Sequence, residues 1–308
     1  MIKQLLFHRE FLEYTGGHGK VYDYFRHACA HPDWRAVIHL TATSVCEQNP
    51  WLALREHLAP SYQPQEAAAL FIAGMDWATY PCDIPGKPVI NLVQHVRHAT
   101  TGHPLRQYLN RPAIRICVSQ AVADAIASTR CVRGPVYVIE AALDIDSAVT
   151  DRKKQTASIF IDAIKQPALG RAIANGLAGT PSVSLLTQRI PRTDYLARLA
   201  EADIAVLLPH PAEGFYLPAL EAMALGCAVV VPDCIGNRAY ARDGTNVLMP
   251  PLDAMSILLA IGELLNDPHQ RESLRTNGVR TSGAFTQRNE RSAFHRLLED
   301  IDSLWSSI

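Results

Sequence analysis

The sequence predicts an α/β fold built from two doubly wound parallel sheets, and three observations support this prediction. Short runs that are apolar throughout recur along the chain, as is typical of strands covered on both faces. Helical patterns separate these runs, which indicates strand–helix alternation. The polar stretch 144–156 (DIDSAVTDRKKQT) divides the 308 residues near their middle, so each half has the length of an ordinary domain.

The apolar runs and the helical patterns give the elements in order. The strands predicted in the first half are 3–7, 36–40, 69–72, 89–92, 114–119 and 136–139. Those in the second half are 158–163, 183–186, 203–208, 228–231 and 246–248. The predicted helices are 21–30, 121–128, 168–177, 193–201, 218–225 and 254–266, and an apolar stripe over 289–308 predicts one amphipathic helix at the C-terminus.

These elements predict two Rossmann-like domains, 1–147 and 148–288, with the helix 289–308 packing back toward the first domain. Two such domains are expected to face each other across a cleft. Ligands of doubly wound sheets bind at the carboxyl ends of the strands. We therefore expect the site residues in the loops that follow strands.

Composition and charge exclude several classes of function. A formal net charge of −1 provides no field that would attract nucleic acid. The seven cysteines are odd in number and form no Cys-x-x-Cys pair, and the twelve histidines are scattered, so we predict reduced thiols and no metal site. The N-terminus lacks the apolar core of a signal peptide, and no apolar run approaches the ~20 residues that span a bilayer. The protein is therefore expected in the cytoplasm, with docking at the inner face of the membrane left open and no oligomeric state defined.

The segment 203–226 (DIAVLLPHPAEGFYLPALEAMALG) has the pattern of an anion site. A strand ends near Leu208, a loop holds Glu213 and Gly214, and a helix follows from Pro218 to the stop at Gly226. The first N–H groups and the dipole of such a helix favour a diphosphate above the strand end. The expected donors are the backbone groups of Phe215, Tyr216 and Leu217, which a ligand can approach closely over Gly214.

Two carboxylates flank this predicted diphosphate site, and they would repel a phosphate unless they bind hydroxyl groups instead. Glu213, in the loop, is positioned to reach the hydroxyls of a sugar. Glu221, one turn into the helix, can accept two hydrogen bonds from a ribose diol. The alternative from the residues alone is that Glu221 caps the helix and Glu213 is solvated.

The same segment resembles the signature of the family 4 retaining glycosyltransferases, which have the GT-B fold. The likeness rests on EGFYLPALE, in which seven residues separate two glutamates, and it extends over 195–250 to the stretch DGTNVL at Asp243. The resemblance implies transfer of a sugar from a nucleotide-diphosphate donor, without a bound metal. It also implies that Glu213 contacts the donor sugar and that Glu221 holds the ribose.

The resemblance further implies a lysine that binds the donor diphosphate after the first strand of the second domain. Lys165, in SIFIDAIKQPALG, stands at that place. The Gly-Arg pair that the family carries at the strand end is replaced by Asp162-Ala163, so Arg189 or Arg192 is an alternative source of the second cation. Lys165 could instead be a surface lysine.

The stretch 13–20 (EYTGGHGK) lies between the first predicted strand and a helix expected to begin near Val21. A glycine-rich loop that opens a helix can approach a phosphate or a sugar. We predict donor contacts for Gly16 and Gly17, and weaker acceptor or phosphate contacts for His18 and Lys20. A plain loop is the alternative.

Two further loops follow strands of the first half. His95 and Arg97 come after the strand 89–92, and the resemblance implies a histidine near this place that contacts the sugar. His95 is therefore a predicted catalytic residue together with Glu213 and Lys165, and Arg97 is a weaker acceptor candidate. Asp76, after the strand 69–72, is a weak acceptor candidate too. Asp144-x-Asp146 looks like a metal-binding pair, but its place in the polar stretch favours a linker.

The resemblance therefore implies a retaining glycosyltransferase that serves the synthesis of a surface polysaccharide or glycoconjugate, with a sugar or a lipid-linked molecule as acceptor. Two alternatives stay open. A non-catalytic nucleotide-sugar-binding subunit would bind donor without turnover. A nucleotide-sugar epimerase of related fold would convert the donor without any acceptor.

Overall fold

The structure is a computed structural model that describes residues 2–80, 84–145, 149, 154–180 and 182–308. Internal packing divides the chain into two units. The first consists of Met1–Ala141 with Gln287–Ile308, and the second of Ala142–Thr286. The domain boundary predicted at 147–148 falls on residues outside the described ranges, as does Asp146.

The first unit contains a parallel sheet in the order β2-β1-β3-β4-β5-β6. Its strands are β1 (Lys3–Arg9), β2 (Trp34–Leu40), β3 (Ala69–Ala73), β4 (Val89–Val93), β5 (Ile114–Cys117) and β6 (Val136–Val138). Its helices are α1 (Gly16–Cys29), α2 (Gln120–Ser128), α8 (Gln287–Glu299) and α9 (Ile301–Ser306). Short 3₁₀ helices lie at Pro50–Ala53, Arg55–His57, Gly74–Thr79, Val96–Ala99 and Pro104–Asn110.

The second unit contains a parallel sheet in the order β10-β9-β7-β8. Its strands are β7 (Ile159–Asp162), β8 (Val183–Leu186), β9 (Ile204–Leu207) and β10 (Ala228–Val230). Its helices are α3 (Pro167–Gly176), α4 (Arg192–Glu201), α5 (Leu217–Ala224), α6 (Ala254–Asn266) and α7 (Pro268–Ser282), with a 3₁₀ turn at Ile235–Asn237. Two apolar clusters cover the faces of this sheet, one built around Tyr195, Leu220 and Met223 and the other around Ile173, Ile257 and Ile261.

Both sheets therefore confirm the predicted α/β class, and both begin with the same order of strands. In each sheet the second strand in sequence lies on one side of the first, and the third strand lies on its other side. The central strands are buried along their whole length, which explains why their sequences are apolar throughout rather than alternating.

After residue 240 the structure differs from prediction in three elements. The expected strand 246–248 makes only isolated bridges, with Leu248 beside Val230, and therefore is too short to count as a strand. The helix α7 was not predicted, because its sequence has no apolar stripe. Its buried residues are Leu274, Gly278 and Ser282, of which only Leu274 is large and apolar. The C-terminal segment forms two helices rather than one, because Asp300 has a ψ of 2°, outside the helical range.

The packing of α3 on its sheet depends on Gly170. A Cβ at this position would lie far inside van der Waals contact with the Cβ of Ala163, and 3.1 Å from the Cδ1 of Leu185. The Leu185 side chain can rotate away, but the Ala163 Cβ is fixed to the backbone at the end of β7. The absence of a side chain at residue 170 therefore sets how closely α3 approaches the strand that leads to Lys165.

We expect Gly170→Ala to destabilise the second unit by about 1–3 kcal/mol, the usual cost of overpacking. The double variant Ala163→Gly/Gly170→Ala should recover most of this loss because it removes the clashing atom. Gly262→Ala in α6 is the matched control, since a Cβ there meets nothing within 4 Å. Hydrogen exchange of β7 and β8 in urea measures all three variants, and equal destabilisation by Gly262→Ala would contradict the packing argument.

Candidate functional site

The strand order of the second unit creates a topological switch point between β7 and β9, from which the chain winds outward in both directions. Ligands of doubly wound sheets bind above such a point, at the carboxyl ends of the strands. Lys165 follows β7, and Glu213 lies in the loop after β9. Two predicted site residues therefore lie on either side of the switch point.

These two side chains form an ion pair between the Nζ of Lys165 and the Oε1 of Glu213. The Lys165 side chain is 41% exposed and that of Glu213 is 14% exposed. The ammonium group also lies over the ring of the buried Tyr216, 5.2 Å from its centroid. The structure thus brings together the residue predicted to bind the diphosphate and the residue predicted to bind the sugar. Of the two, Lys165 is the more exposed.

Gly236, which sequence reasoning missed, holds the loop of Glu213 in place. The N–H of Tyr216 donates to the carbonyl of Gly236 at 3.0 Å, and the N–H of Ile235 donates to the carbonyl of Pro211 at 3.0 Å. A Cβ on Gly236 would lie 2.8 Å from the Tyr216 nitrogen and 2.9 Å from the Glu213 Cβ. Only glycine lets the 3₁₀ turn approach the loop this closely, and no motif in the sequence marked that contact.

The expected anion site on three backbone N–H groups needs correction. The helix α5 begins at Leu217, and Tyr216 donates its N–H to Gly236. The N–H of Leu217 donates to the carbonyl of Phe215 at 3.2 Å. Of the three groups, at most that of Phe215 remains for a phosphate, because the other two complete the turn that enters the helix. Gly214 is buried within this same loop.

Glu221 lies on α5 with its side chain 3% exposed, and its partner is Arg192 at the start of α4. The Nη2 of Arg192 donates to the Oε1 of Glu221 at 2.7 Å and to the carbonyl of Asp144 at 3.2 Å. One carboxylate oxygen of Glu221 is therefore committed to the guanidinium group. Arg192, one of the two arginines considered as the second cation, thus pairs with the residue predicted to bind the ribose.

A second contact that the sequence did not reveal joins β7 to α4. The Oδ2 of Asp162 accepts a hydrogen bond from the hydroxyl of Tyr195 at 3.0 Å, and its Oδ1 accepts one from the N–H of Ile164 at 3.1 Å. Burial raises the pKa of Asp162, and these hydrogen bonds and the charge of Lys165 counter only part of the rise. A carboxyl group thus stands at the switch point where the resemblance implies Gly-Arg.

In the first unit, the predicted glycine-rich loop is the first turn of α1. Thr15 caps this helix by accepting a hydrogen bond from the N–H of His18 at 3.2 Å, so Gly16 and Gly17 are helical. The Nε2 of Gln94 donates to the carbonyl of Gly17 at 3.2 Å. The prediction of a loop up to Val21 was wrong, because the Thr15 cap starts the helix earlier.

The expectation that Lys20 contacts a phosphate or an acceptor is also wrong. Its side chain is 5% exposed, and its ammonium group lies 2.6 Å from the Oδ2 of Asp23 and 2.9 Å from the Oε1 of Glu290. The Nε2 of His27 lies 2.9 Å from the Oε2 of Glu290. Lys20 therefore joins α1 to α8 inside the first unit.

Asp76 follows β3 at the switch point of the first sheet, between β1 and β3, and is 9% exposed. Its Oδ2 lies 2.6 Å from the Nη1 of Arg9 and accepts the N–H of Ala73 at 3.2 Å. Burial raises the pKa of Asp76 to about 6, although Arg9 opposes the rise. Arg9 and the backbone thus both engage the Oδ2 of Asp76, and the weak expectation of an acceptor contact stays a prediction.

His95 and Arg97 lie after β4, as predicted. The Nδ1 of His95 accepts a hydrogen bond from the N–H of Arg97 at 3.0 Å and so caps the 3₁₀ helix Val96–Ala99. Arg97 is exposed, whereas His98 is buried. Burial, together with the charge of Arg97, lowers the pKa of His98 to about 3, so its imidazole is neutral near pH 7.

The described residues also bear on metal sites and on membrane insertion. They contain no group of three or more His, Cys, Asp or Glu side chains arranged to hold a metal ion. Within the same part of the chain, no helix has both the length and the apolarity that crossing a bilayer requires.

Part of the second unit matches a known protein family. Residues 172–281 match the family model of the glycosyl transferases group 1, a span that includes Glu213 and Glu221 but not Lys165. Over 198 residues the chain is 24% identical to a D-inositol 3-phosphate glycosyltransferase of Corynebacterium urealyticum, which covers 63% of this chain and 46% of that protein. Over 94 residues it is 35% identical to an MMP α-(1→4)-mannosyltransferase of Mycolicibacterium hassiacum, covering 28% and 21%. The chain thus spans less than half the length of these curated relatives.

Solved structures resemble the chain over nearly all of its length. The Anabaena protein HepE, determined in complex with UDP, is 16% identical with a TM-score of 0.73, and the match covers 97% of this chain and 100% of that one. This likeness and the two parallel sheets give the chain the GT-B fold.

Proposed function

We propose that this chain is a retaining glycosyltransferase of the family 4 type, which transfers a sugar from a nucleotide-diphosphate donor to a hydroxyl of an acceptor. The observation that carries the proposal is the pairing of Lys165 with Glu213 at the switch point of the second sheet. The family match over 172–281 and the names of the two relatives support it.

The donor diphosphate would bind at Lys165, whose ammonium group is the accessible partner of the ion pair. Because one ammonium group cannot serve both anions fully, the arriving diphosphate would take Lys165 and release Glu213. The freed carboxylate would then accept hydrogen bonds from the donor sugar. Donor binding in this scheme is an exchange of anionic partners rather than the filling of a preformed cationic pocket.

The ribose would bind at Glu221. Its Oε1 is held by Arg192, which leaves the Oε2 to accept a ribose hydroxyl. Arg192 also fixes the orientation of the carboxylate, so the diol meets a group that has already lost its rotational freedom. Gly214 and the N–H of Phe215 would line the remaining backbone side of the donor.

The chemical step would rely on stabilising the charge of the departing diphosphate, which Lys165 supplies without a metal. His95 stays the predicted contact of the sugar, Gly16 and Gly17 stay predicted donor contacts, and His18 and Arg97 stay weaker acceptor candidates. Attack would come from the face that the diphosphate leaves, and the leaving phosphate would accept the proton of the acceptor. We place this reaction in the cytoplasm or at the inner face of the membrane, in the synthesis of a surface polysaccharide or glycoconjugate.

The test is a panel of nucleotides and nucleotide sugars, first in thermal-shift and calorimetric binding, then in transfer to alcohol and sugar acceptors with and without EDTA. We expect one nucleotide series to bind, and the product to keep the anomeric configuration of the donor. Loss of turnover in EDTA would contradict metal-independent transfer. Binding without turnover would instead indicate a donor-binding subunit, and conversion of donor without acceptor would indicate an epimerase.

A further inference from the structure

The turn that presents Lys165 is held from below by a side chain rather than by backbone alone. Asp162 is the last residue of β7 and is 6% exposed. Its Oδ1 accepts the N–H of Ile164, two residues further along the chain, at 3.1 Å. The carbonyl of Ala163 then accepts the N–H of Gln166 at 3.1 Å, which completes a turn around Lys165.

The second oxygen of Asp162 is fixed by α4. The hydroxyl of Tyr195 donates to the Oδ2 at 3.0 Å, and its ring packs edge-on against Phe160 with centroids 5.9 Å apart. Tyr195 is 9% exposed, so this hydrogen bond lies inside the unit and is shielded from competing water. The carboxyl group therefore cannot rotate without breaking one of its two hydrogen bonds.

The same helix also controls the other half of the predicted donor site. Arg192 lies three residues before Tyr195, so both side chains project from the same face of α4. One binds the carboxylate of Glu221 and the other binds Asp162. The first turns of α4 thereby connect the residue proposed for the ribose with the turn that carries the residue proposed for the diphosphate.

We infer that Asp162 and Tyr195 are positioning residues for Lys165, which set the place of its ammonium group without touching the donor themselves. This inference rests on the proposed donor site. A glycine at the strand end would leave the turn free to adjust to its ligand. In this chain the backbone of the turn is held in advance, so less backbone freedom is lost when a diphosphate binds at Lys165.

The test is a double-mutant cycle in the full chain, read by calorimetric binding of UDP, or of whichever nucleoside diphosphate the panel selects. We expect Asp162→Ala to weaken binding about tenfold, because the two hydrogen bonds that hold the turn are lost together. Asp162→Asn keeps an acceptor for Ile164 and should rescue most of that loss. Tyr195→Phe should lie between these two variants.

In a Lys165→Met background, Asp162→Ala should change binding by less than about twofold, because the group that it positions is gone. Asp253→Ala is the matched control, since its carboxylate accepts a backbone N–H at 2.9 Å at the start of α6 instead. A full tenfold loss of affinity in the Lys165→Met background would overturn the inference. Wild-type affinity in the Asp162→Ala single variant would overturn it too. If the wild-type protein binds no nucleotide at all, the proposed function is wrong. This outcome is distinct from nucleotide binding that does not depend on Asp162, which contradicts only the positioning role.

Discussion

Replacing Glu213 with glutamine is expected to move nucleotide binding and sugar transfer in opposite directions. The variant removes a negative charge beside the proposed diphosphate site and releases Lys165 from its partner. Nucleoside diphosphate should therefore bind up to about fivefold more tightly, the range of a partly exposed ion pair. Transfer should fall by about 10²–10³-fold, because the sugar loses a charged ligand that acts in the transition state.

Glu221→Gln is the matched control for this prediction, because it alters a carboxylate of the same size on the neighbouring helix. It should weaken binding of the same nucleotide, since the amide leaves one acceptor oxygen for both the ribose and Arg192, and the ion pair with Arg192 is lost. Calorimetry with the nucleoside diphosphate and an initial-rate transfer assay measure both variants. Weaker nucleotide binding in Glu213→Gln would contradict the exchange of partners at Lys165.

Lys20→Met is expected to destabilise the first unit by about 3–5 kcal/mol, because it leaves buried carboxylates without their cation. Lys20 is 5% exposed and joins Asp23 and Glu290. All four tryptophans, at 34, 51, 77 and 305, lie in the first unit, so urea unfolding followed by tryptophan fluorescence reports this unit selectively.

Lys3→Met is a close control, because Lys3 also pairs with the C-terminal segment, through Asp302 at 2.8 Å, but at the surface. Its cost should stay below about 1 kcal/mol. Similar losses of stability in the two variants would contradict the argument that burial of the Lys20 ion pairs causes the larger effect.

The same network gives the first unit a defined response to acid. Burial alone would raise the pKa of Glu290, but Lys20 and His27 outweigh it, and the pKa lies below its ordinary value of 4.5. The stabilisation is therefore present above that value and is lost as the pH falls through the lower pKa of the folded state. Tryptophan-detected urea midpoints should decrease as the pH is lowered from about 6 to about 3, and less steeply in Glu290→Gln.

Local patterns predicted the sheets and the place of the loop that carries Glu213, but not the partners of the candidate site residues. The strands could be predicted because each is apolar over its own length, and Glu213 because its loop separates a strand from a helix. The partner of Glu221 is 29 residues away, that of Asp162 is 33 away, and that of Lys20 is 270 away. Nothing in a single sequence distinguishes such long-range partners from other charged residues.

Two expectations differ from the structure for a related reason. The same short sequence pattern can either bind a ligand or form hydrogen bonds within the protein. Glycines before a helix suggested a phosphate loop, yet Thr15 begins the helix among them. The N–H groups before α5 suggested an anion site, yet Gly236 folds back to accept one of them. In both places an N–H group at the predicted ligand position is already bonded to another residue of the same unit.

The surface position of the Lys165–Glu213 pair has a consequence for the influence of salt. Dissolved ions screen exposed charges over about 8–10 Å at ordinary ionic strength, and so weaken both this pair and the attraction of Lys165 for a diphosphate. Because the nucleotide replaces one screened contact with another, its affinity in the wild-type protein should depend only shallowly on salt. In Glu213→Gln nothing is displaced, and the same affinity should fall steeply as salt is added.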